Sequence, residues 1–220
     1  MAFDDTNTLL ALDTVGLSYG DPKKRTEYAR AIHPFDDLAA AVQMASTQSA
    51  CLLHARAILA TQKDADNAWC LPGEITLNGR RIDALRTPYA KTVGQIETLL
   101  TEWGKQHGYL TPHFHRGEAQ PDIRPGDLVM VGQGGSPPKD RDERARWERE
   151  WCGVAHGFVV VGTGGDSVMS VDGGQDDFAN LDDKKRPRPT AIRSRTRTLV
   201  RKGNGWWLGD RRLNWRIRVV

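Results

Sequence analysis

Residues 122–131 read Asp-Ile-Arg-Pro-Gly-Asp-Leu-Val-Met-Val, and the character of the chain changes inside this stretch. Its first half is rich in turn formers, because proline and glycine stand side by side at 125 and 126. Its second half, residues 128–131, is a short apolar run typical of a buried strand. We therefore expect a sheet to begin here.

Downstream of this stretch, apolar and β-branched runs recur between turn signals. Gly203-Asn204-Gly205 is typical of a tight hairpin turn between two of them. The predicted strands cover residues 128–131, 157–161, 167–171, 196–201 and 215–220.

Upstream of it, apolar residues repeat every three to four positions, which predicts helices. We expect helices over residues 26–32, 35–45, 47–60 and 89–107. Because helices come first and an antiparallel sheet follows, the fold class predicted is α+β, with N-terminal helices packed on a small antiparallel sheet.

The length of 220 residues fits one domain, which we place over 1–220. A charged insertion at about 133–152 separates the first two predicted strands, as either a lid over a cleft or an inert surface loop. A basic C-terminal β segment at about 184–220 holds 13 Lys and Arg residues against one Asp. This charge suits a polyanionic partner or a solvated face that balances an acidic body.

Three cysteines at irregular spacing indicate neither a disulfide framework nor a zinc knuckle. The N-terminus lacks the basic and apolar regions of a Sec signal. Nor does any run approach the roughly 18 apolar residues of a membrane-spanning helix. We therefore expect a protein that is made in the cytoplasm, does not insert into membranes and leaves the cell, if at all, by another route.

Cys51 stands in the first turn of the helix predicted over 47–60. A helix N-terminus stabilises a thiolate, and its backbone N–H groups can also receive an oxyanion. His156 opens an apolar predicted strand, and Asp172 and Gln175 end the next one. This order predicts a nucleophile, a base and a residue that orients the base.

These residues lie in four short motifs in a fixed order along the chain. The chain resembles, through these motifs, the CHAP group of cysteine, histidine-dependent amidohydrolases/peptidases, which is related to the NlpC-type peptidases of the papain-like superfamily. The motifs are Cys51 followed by Ala55-Arg56, residues 125–129 (PGDLV), the strand that begins with His156, and residues 171–175 (VDGGQ).

The resemblance implies a papain-like fold with Cys51 as nucleophile and His156 as general base and then acid. It implies Asp172 as third member, with Gln175 as the alternative, and it implies no cofactor or metal. The substrate expected is peptidoglycan, cut by an amidase or endopeptidase that resembles a phage lysin or an antibacterial effector. Such an effector is delivered by a contractile secretion system and is usually paired with an immunity protein, whereas a lysin is released by lysis.

Several other residues offer competing chemistry. His54 follows Cys51 by three positions and is an alternative base on the same helix face. His113 and His115 share one face of a strand and could bind zinc with Cys152 or His156. Cys152 is a second choice as nucleophile, and the apolar neighbours of Cys70 favour a structural role.

Two further hypotheses concern the function of the whole protein. A protein-directed cysteine protease, deamidase or transglutaminase-like toxin would use the same cysteine and histidine. A nucleic-acid-binding protein is the alternative from another class, with basic residues for phosphates and aromatic residues for bases. The residues it would use are Arg186, Arg188, Arg193, Arg195, Arg197, Arg201, Trp206 and Trp207.

Overall fold

The computed structural model describes part of the chain: residues 3–18, 23, 26, 51, 54, 74–77, 80–83, 110–114, 119–134, 139–144, 156–203 and 205–219. The helices predicted over 35–45 and 89–107 lie outside the described residues. Of those predicted over 26–32 and 47–60, only Thr26, Cys51 and His54 are described, and all three have helical backbone.

The described elements are one helix and nine strands. Helix α1 spans Phe3–Asp13. The strands are β1 (Glu74–Leu77), β2 (Arg80–Asp83), β3 (Leu110–Phe114), β4 (Leu128–Gly134), β5 (His156–Gly164), β6 (Ser167–Leu181), β7 (Pro187–Lys202), β8 (Gly205–Leu208) and β9 (Arg211–Val219).

Strands β4 to β9 form a closed ring of antiparallel strands. The sheet order is β3-β9-β4-β5-β6-β7-β8, and β8 pairs in turn with β9. Because β9 pairs with β4 along one edge and with β8 and β3 along the other, six strands close into a barrel and β3 extends it. Strands β1 and β2 form a separate two-stranded hairpin.

The barrel shows that the predicted α+β papain-like fold, with helices packed on a small sheet, is wrong. The described chain is mostly sheet, and its sheet closes on itself. Strands β6 and β7 are 15 and 16 residues long and extend well beyond the predicted segments 167–171 and 196–201, and their pairing is interrupted by register shifts. Such irregularities bend and twist a sheet, which brings its edges together.

The predicted strand positions are confirmed, because each of the five segments lies in an observed strand as far as it is described. The hairpin turn is confirmed too, since Lys202 pairs with Gly205 across it and Gly203 has a φ of 58°. The five predicted segments do not include β1, β2, β3 and β8. Sequence reasoning also missed residues 172–181 of β6 and 187–195 of β7. Their many charged residues conceal the period-two pattern of a strand.

Alternate residues of the strands fill the barrel. Phe158 and Val160 of β5 and Val129 and Val131 of β4 are completely buried, and Leu199 of β7 packs with them. Every second side chain of a strand points to the same face, so these residues share the interior face with others of the same parity. His156 and Asp172 stand on that same face, at one end of the apolar core.

The turn before β4 is hydrogen-bonded to two other strands of the barrel, β5 and β9. The Asp127 N–H donates to the Arg124 carbonyl (3.1 Å), and Gly126 has a φ of 88°, as the third residue of a type II turn requires. The turn also bonds to β5, because Gly126 N–H donates to the Val160 carbonyl (2.8 Å). The buried Asp127 carboxylate accepts two 2.7 Å hydrogen bonds from Arg218 of β9.

The segment after α1 runs along the outer edge of β7. Gly16 N–H donates to the Ile192 carbonyl (3.1 Å), and Ile192 N–H donates to the Leu17 carbonyl (2.9 Å). The Ser18 hydroxyl donates to the Asp177 carboxylate of β6. The N-terminal residues are therefore part of the sheet edge, a contact that no local sequence pattern indicates.

Only residues 133–134 and 139–144 of the predicted charged insertion are described. Residues 133–134 end β4, and residues 141–144 form an exposed helical turn. Asp140 caps that turn, because its carboxylate accepts 2.9 Å hydrogen bonds from the N–H groups of Asp142 and Glu143. Whether the insertion covers a cleft therefore stays a prediction.

Candidate active site

His156 and Asp172 come together because β5 and β6 are neighbours in the barrel. Val159 pairs with Val171, so His156 and Asp172 lie on the same face, near the end of that pairing. The distance from His156 Nε2 to Asp172 Oδ2 is 2.6 Å, and the Asp172 side chain is completely buried. This is a strong hydrogen bond between an imidazole and a carboxylate in a site shielded from water.

Cys51 reaches the same place from the N-terminal half of the chain. It has helical backbone, is buried and belongs to no disulfide. Its side chain hydrogen-bonds to His156. Because Nε2 of His156 is bonded to Asp172, Nδ1 is the ring nitrogen that remains for the thiol. The structure thus joins Cys51, His156 and Asp172 in one hydrogen-bonded row.

This row favours a charged imidazole. Burial by itself lowers the pKa of His156, but the hydrogen bonds with Asp172 and Cys51 raise it above its ordinary value. A protonated imidazole beside a thiol stabilises the thiolate form. The electrostatics of the site therefore favour a thiolate–imidazolium pair, the reactive form of a cysteine nucleophile.

Asp172 has more partners than the histidine alone. Arg197 of β7 donates two hydrogen bonds to its carboxylate, from Nη1 to Oδ1 at 3.1 Å and from Nη2 to Oδ2 at 2.5 Å. The Ser170 hydroxyl donates to Oδ1 at 2.6 Å. Burial raises the pKa of Asp172, but the hydrogen bond from His156 and the charge of Arg197 together lower it to about 2. The carboxylate is therefore ionised and fixed in orientation.

Arg197 is itself held in place. Its side chain is 12% exposed, and its guanidinium carbon lies 4.4 Å from the centre of the Phe158 ring. It also donates to the Ser170 hydroxyl. Sequence reasoning named Arg197 only as a candidate nucleic-acid contact and not as a residue of the active site, because it belongs to an alternating Arg-Ser-Arg-Thr-Arg-Thr run that resembles a solvated edge strand. Only its side-chain contacts with Asp172 in the folded structure separate it from its neighbours in this run.

Gln175, the alternative third member, does not contact His156 through any hydrogen bond described for it. It is buried, and its side-chain amide donates to the Gly173 carbonyl at 3.3 Å. A register shift separates Asp172 from Gln175 in the pairing of β6 with β7. In this structure Asp172 is the residue that orients the imidazole.

His54, the alternative base, is occupied by a different partner. The Thr14 hydroxyl donates to the Ala11 carbonyl (2.6 Å), so His54 Nε2, 2.8 Å from Thr14 Oγ1, is the donor of the second bond. Burial is the main cause that lowers the pKa of His54 to about 4. A neutral His54 therefore joins the helical segment of Cys51 to α1 and is poorly suited to take a proton.

The structure describes the remaining candidates only in part or not at all. Cys70, His115 and Cys152 lie outside the described residues, and His113 is described only as a backbone position of β3. Among the described residues, no group of three His, Cys, Asp or Glu side chains could hold a metal ion. The residues before Cys51 that were expected to supply oxyanion donors are also outside the described part.

The aromatic residues of the nucleic-acid interpretation are not exposed platforms. Trp207 is 7% exposed, with the Lys202 ammonium 5.0 Å from its ring centre. Trp206 is half-buried and packs against the hydrophobic core. Base stacking needs an accessible ring face, so the positions of these two tryptophans do not favour single-strand binding.

In comparisons with protein-family models, curated proteins and solved structures, the chain matches none. In the part of the chain that the structure describes, no helix has the length and apolar character needed to cross a membrane. The case for a function therefore rests on the geometry of the row formed by Cys51, His156 and Asp172.

Proposed function

We propose that this protein is a cysteine-dependent hydrolase of amide or peptide bonds. The observation that carries the proposal is the buried row in which the Cys51 thiol bonds His156 and His156 bonds Asp172 at 2.6 Å. A structural cysteine needs neither a histidine partner nor a carboxylate behind that histidine. Each of the three groups has the neighbour that nucleophilic catalysis requires.

The reaction proceeds in two halves. The Cys51 thiolate attacks the amide carbonyl, and the His156 imidazolium gives its proton to the nitrogen of the leaving amine as the C–N bond breaks. His156 then takes a proton from water, whose oxygen attacks the thioester. The C–S bond breaks, the carboxylic acid leaves, and the thiolate–imidazolium pair is restored.

Asp172 and Arg197 hold the imidazole of His156 in the orientation that this reaction requires. The Asp172 carboxylate accepts a hydrogen bond from the Nε2–H of His156, which leaves Nδ1 to face Cys51. Arg197 and Ser170 fix the carboxylate from the other side, so the ring is held in one orientation through both halves of the reaction. Arg197 acts through Asp172 and is therefore a positioning residue.

We propose peptidoglycan as the substrate, cut by an amidase or endopeptidase that acts as an antibacterial effector or lysin. The support is the resemblance of four motifs to the CHAP group: Cys51, residues 125–129, His156 and residues 171–175. The motifs with Cys51, His156 and Asp172 supply the site, and the motif at residues 125–129 forms the turn that is hydrogen-bonded to β5. This resemblance concerns residues and their order, because the barrel differs from the expected fold.

The test is digestion of purified peptidoglycan by wild type and Cys51→Ala, with products identified by mass spectrometry. Wild type should release stem-peptide fragments, and Cys51→Ala should lose at least about a thousandfold in rate, as expected on removal of a nucleophile. The variant should keep the fold, since alanine fills most of the volume of cysteine. Asp210→Asn, at an exposed turn, is the control and should retain wild-type activity.

Full activity in Cys51→Ala would contradict the proposed nucleophile. Intact peptidoglycan together with a reactive thiol would instead favour a protease or deamidase that acts on proteins. Release of ammonia from glutamine-containing proteins would then identify the deamidase.

A further inference from the structure

Three arginines stand at alternate positions of β7 beside the candidate active site. In the pairing with β6, Arg193 lies opposite Asp172, Arg195 opposite Ser170, and Arg197 opposite Val168. Since alternate residues of a strand share a face, all three side chains emerge on the face that carries His156 and Asp172.

The three arginines differ sharply in their surroundings. Arg197 is 12% exposed and bonded to Asp172, so its charge is used within the site. Arg193 and Arg195 are exposed. In the described part of the chain, the Arg195 guanidinium makes no hydrogen bond, ion pair or ring contact. The guanidinium carbon of Arg193 lies 5.7 Å from the ring centre of Phe178, which is 67% exposed.

Among the described residues, the charges around the site leave a positive excess on this side. Arg197 neutralises Asp172, and a thiolate beside an imidazolium has no net charge. Arg193 lies within electrostatic range of Asp177, which offsets part of its charge, whereas Arg195 faces no described carboxylate in a salt bridge. Of these two exposed arginines, Arg195 therefore has the less compensated charge. It lies on β7, the neighbour of the strand β6 that carries Asp172.

We propose that Arg195, assisted by Arg193, forms an anion-binding subsite beside Cys51 that selects amide substrates bearing a carboxylate near the scissile bond. The guanidinium fork of arginine matches the two oxygens of a carboxylate. This inference rests on the proposed function, because it assigns a preference to the nucleophile named there. Peptides with a free acidic side chain or terminus next to the cleaved amide are the substrate class it predicts.

The experiment compares alkylation of Cys51 by iodoacetate, which is an anion, with alkylation by neutral iodoacetamide. In both reactions the thiolate displaces iodide, and mass spectrometry of the Cys51 peptide gives the rate. The measured quantity is the ratio of the two rates. Because both reagents consume the same thiolate, a change in thiolate population cancels from the ratio.

Arg195→Gln should lower the ratio of iodoacetate to iodoacetamide rates about fivefold, and Arg193→Gln/Arg195→Gln about tenfold, because each loss of a cation on this face weakens the attraction of an anionic reagent. Arg195→Lys should keep most of the wild-type ratio, since it keeps the charge. Arg201→Gln is the matched control, because Arg201 is also exposed on β7 and lies six residues further along the strand. Its ratio should equal that of wild type.

An unchanged ratio in the double variant would overturn the subsite while iodoacetamide labelling still supported the nucleophile. An equal fall in Arg201→Gln would overturn it too, because the effect would then be one of overall charge. If iodoacetamide fails to label Cys51 in the folded protein, the proposed function and the subsite are both overturned.

Discussion

The carboxylate of Asp172 is shared between a base and a cation. His156 Nε2 and Arg197 Nη2 both bond its Oδ2 oxygen, at 2.6 and 2.5 Å. Asp172 raises the pKa of His156, and Arg197 restrains that effect by neutralising the carboxylate. Substitutions on the two sides of Asp172 should therefore move the histidine in opposite directions.

Asp172→Asn should shift the alkaline limb of the pH–rate profile to lower pH. The active pair needs a protonated His156, so activity falls as pH rises through the pKa of that histidine, which the aspartate raises. Loss of the carboxylate removes this effect and should lower kcat by about a hundredfold or more, as when an imidazole loses the group that orients it. The measurement is kcat/KM against pH. An alkaline limb in the wild-type position would show that Asp172 does not act on His156.

Arg197→Gln should shift the same limb to higher pH. Without the guanidinium, the full charge of Asp172 acts on His156, so the imidazolium persists further into the alkaline range. The variant also leaves a buried carboxylate without its cation, which should lower the free energy of unfolding by about 3 kcal/mol. Urea unfolding measures that cost.

Arg197→Lys is the control for charge. It should keep the alkaline limb in the wild-type position but give a kcat below that of wild type, because an ammonium cannot bond both carboxylate oxygens in the arginine geometry. Limbs that move together in Asp172→Asn and Arg197→Gln would contradict the shared role of the carboxylate.

At the scale of elements, the turn at residues 124–127 holds β5, the strand of His156, against the rest of the barrel. Its backbone exchanges hydrogen bonds with Val160, and its Asp127 carboxylate binds Arg218 of β9. The turn therefore joins three strands through few residues. Its effect on the site is indirect, through the placement of β5.

Gly126→Ala should destabilise the protein by about 1–2 kcal/mol, because an alanine at a positive φ brings its Cβ against the following carbonyl. The φ of Gly126 is 88°, as the turn requires. Gly164→Ala is the matched control at a glycine with a negative φ and open space around its Cβ, and it should change stability little. Thermal unfolding measures both variants. Equal losses would show that the turn conformation is not the cause.

At the scale of the whole molecule, the site joins two halves of the chain. The barrel supplies His156, Asp172 and Arg197, whereas Cys51 comes from the N-terminal half of the chain. Within that half, His54 hydrogen-bonds Thr14, the residue after α1. Two buried histidines therefore lie at this junction. They contribute to stability with opposite dependence on pH.

We expect the free energy of unfolding to rise with pH between about 4 and 6.5. His54 is neutral in the fold down to a pKa of about 4, but an exposed histidine binds a proton below 6.5. The unfolded chain thus binds more protons in this range, which contributes about 3 kcal/mol over the interval. His156, whose pKa is raised, stabilises the fold below 6.5 and loses that effect as pH rises through its own pKa.

Urea unfolding at a series of pH values checks this expectation. His54→Gln should flatten the rise between pH 4 and 6.5, whereas His156→Gln should leave that rise in place and remove the loss of stability above pH 6.5. Below that range, stability should fall again from pH 3.8 towards 2, as protonation of Asp172 removes its bonds to His156 and Arg197. A profile that His54→Gln leaves unchanged would show that His54 is not the source of the rise.

Sequence reasoning found the three groups of the site because their signals are local. A cysteine in a helical turn, a histidine at the start of an apolar run and an aspartate at the end of the next can be identified residue by residue. The same holds for the positions of five strands and one hairpin turn. Periodicity shows which face of a helix or strand is buried, and a buried face indicates that some other element packs against it.

Which partner it has depends on contacts that are distant in sequence. Closure of the barrel follows from the length and register shifts of β6 and β7, and from the pairing of β9 with both β8 and β4. The folded structure brought the side chain of Arg197, and not that of Arg193 or Arg195, onto Asp172, and the turn after α1, 40 residues before His54, supplied Thr14 to that histidine. Local composition alone thus determined the chemical groups and strand positions, whereas the tertiary structure decided the closed barrel and each group's neighbours, because register and closure depend on pairing between distant segments.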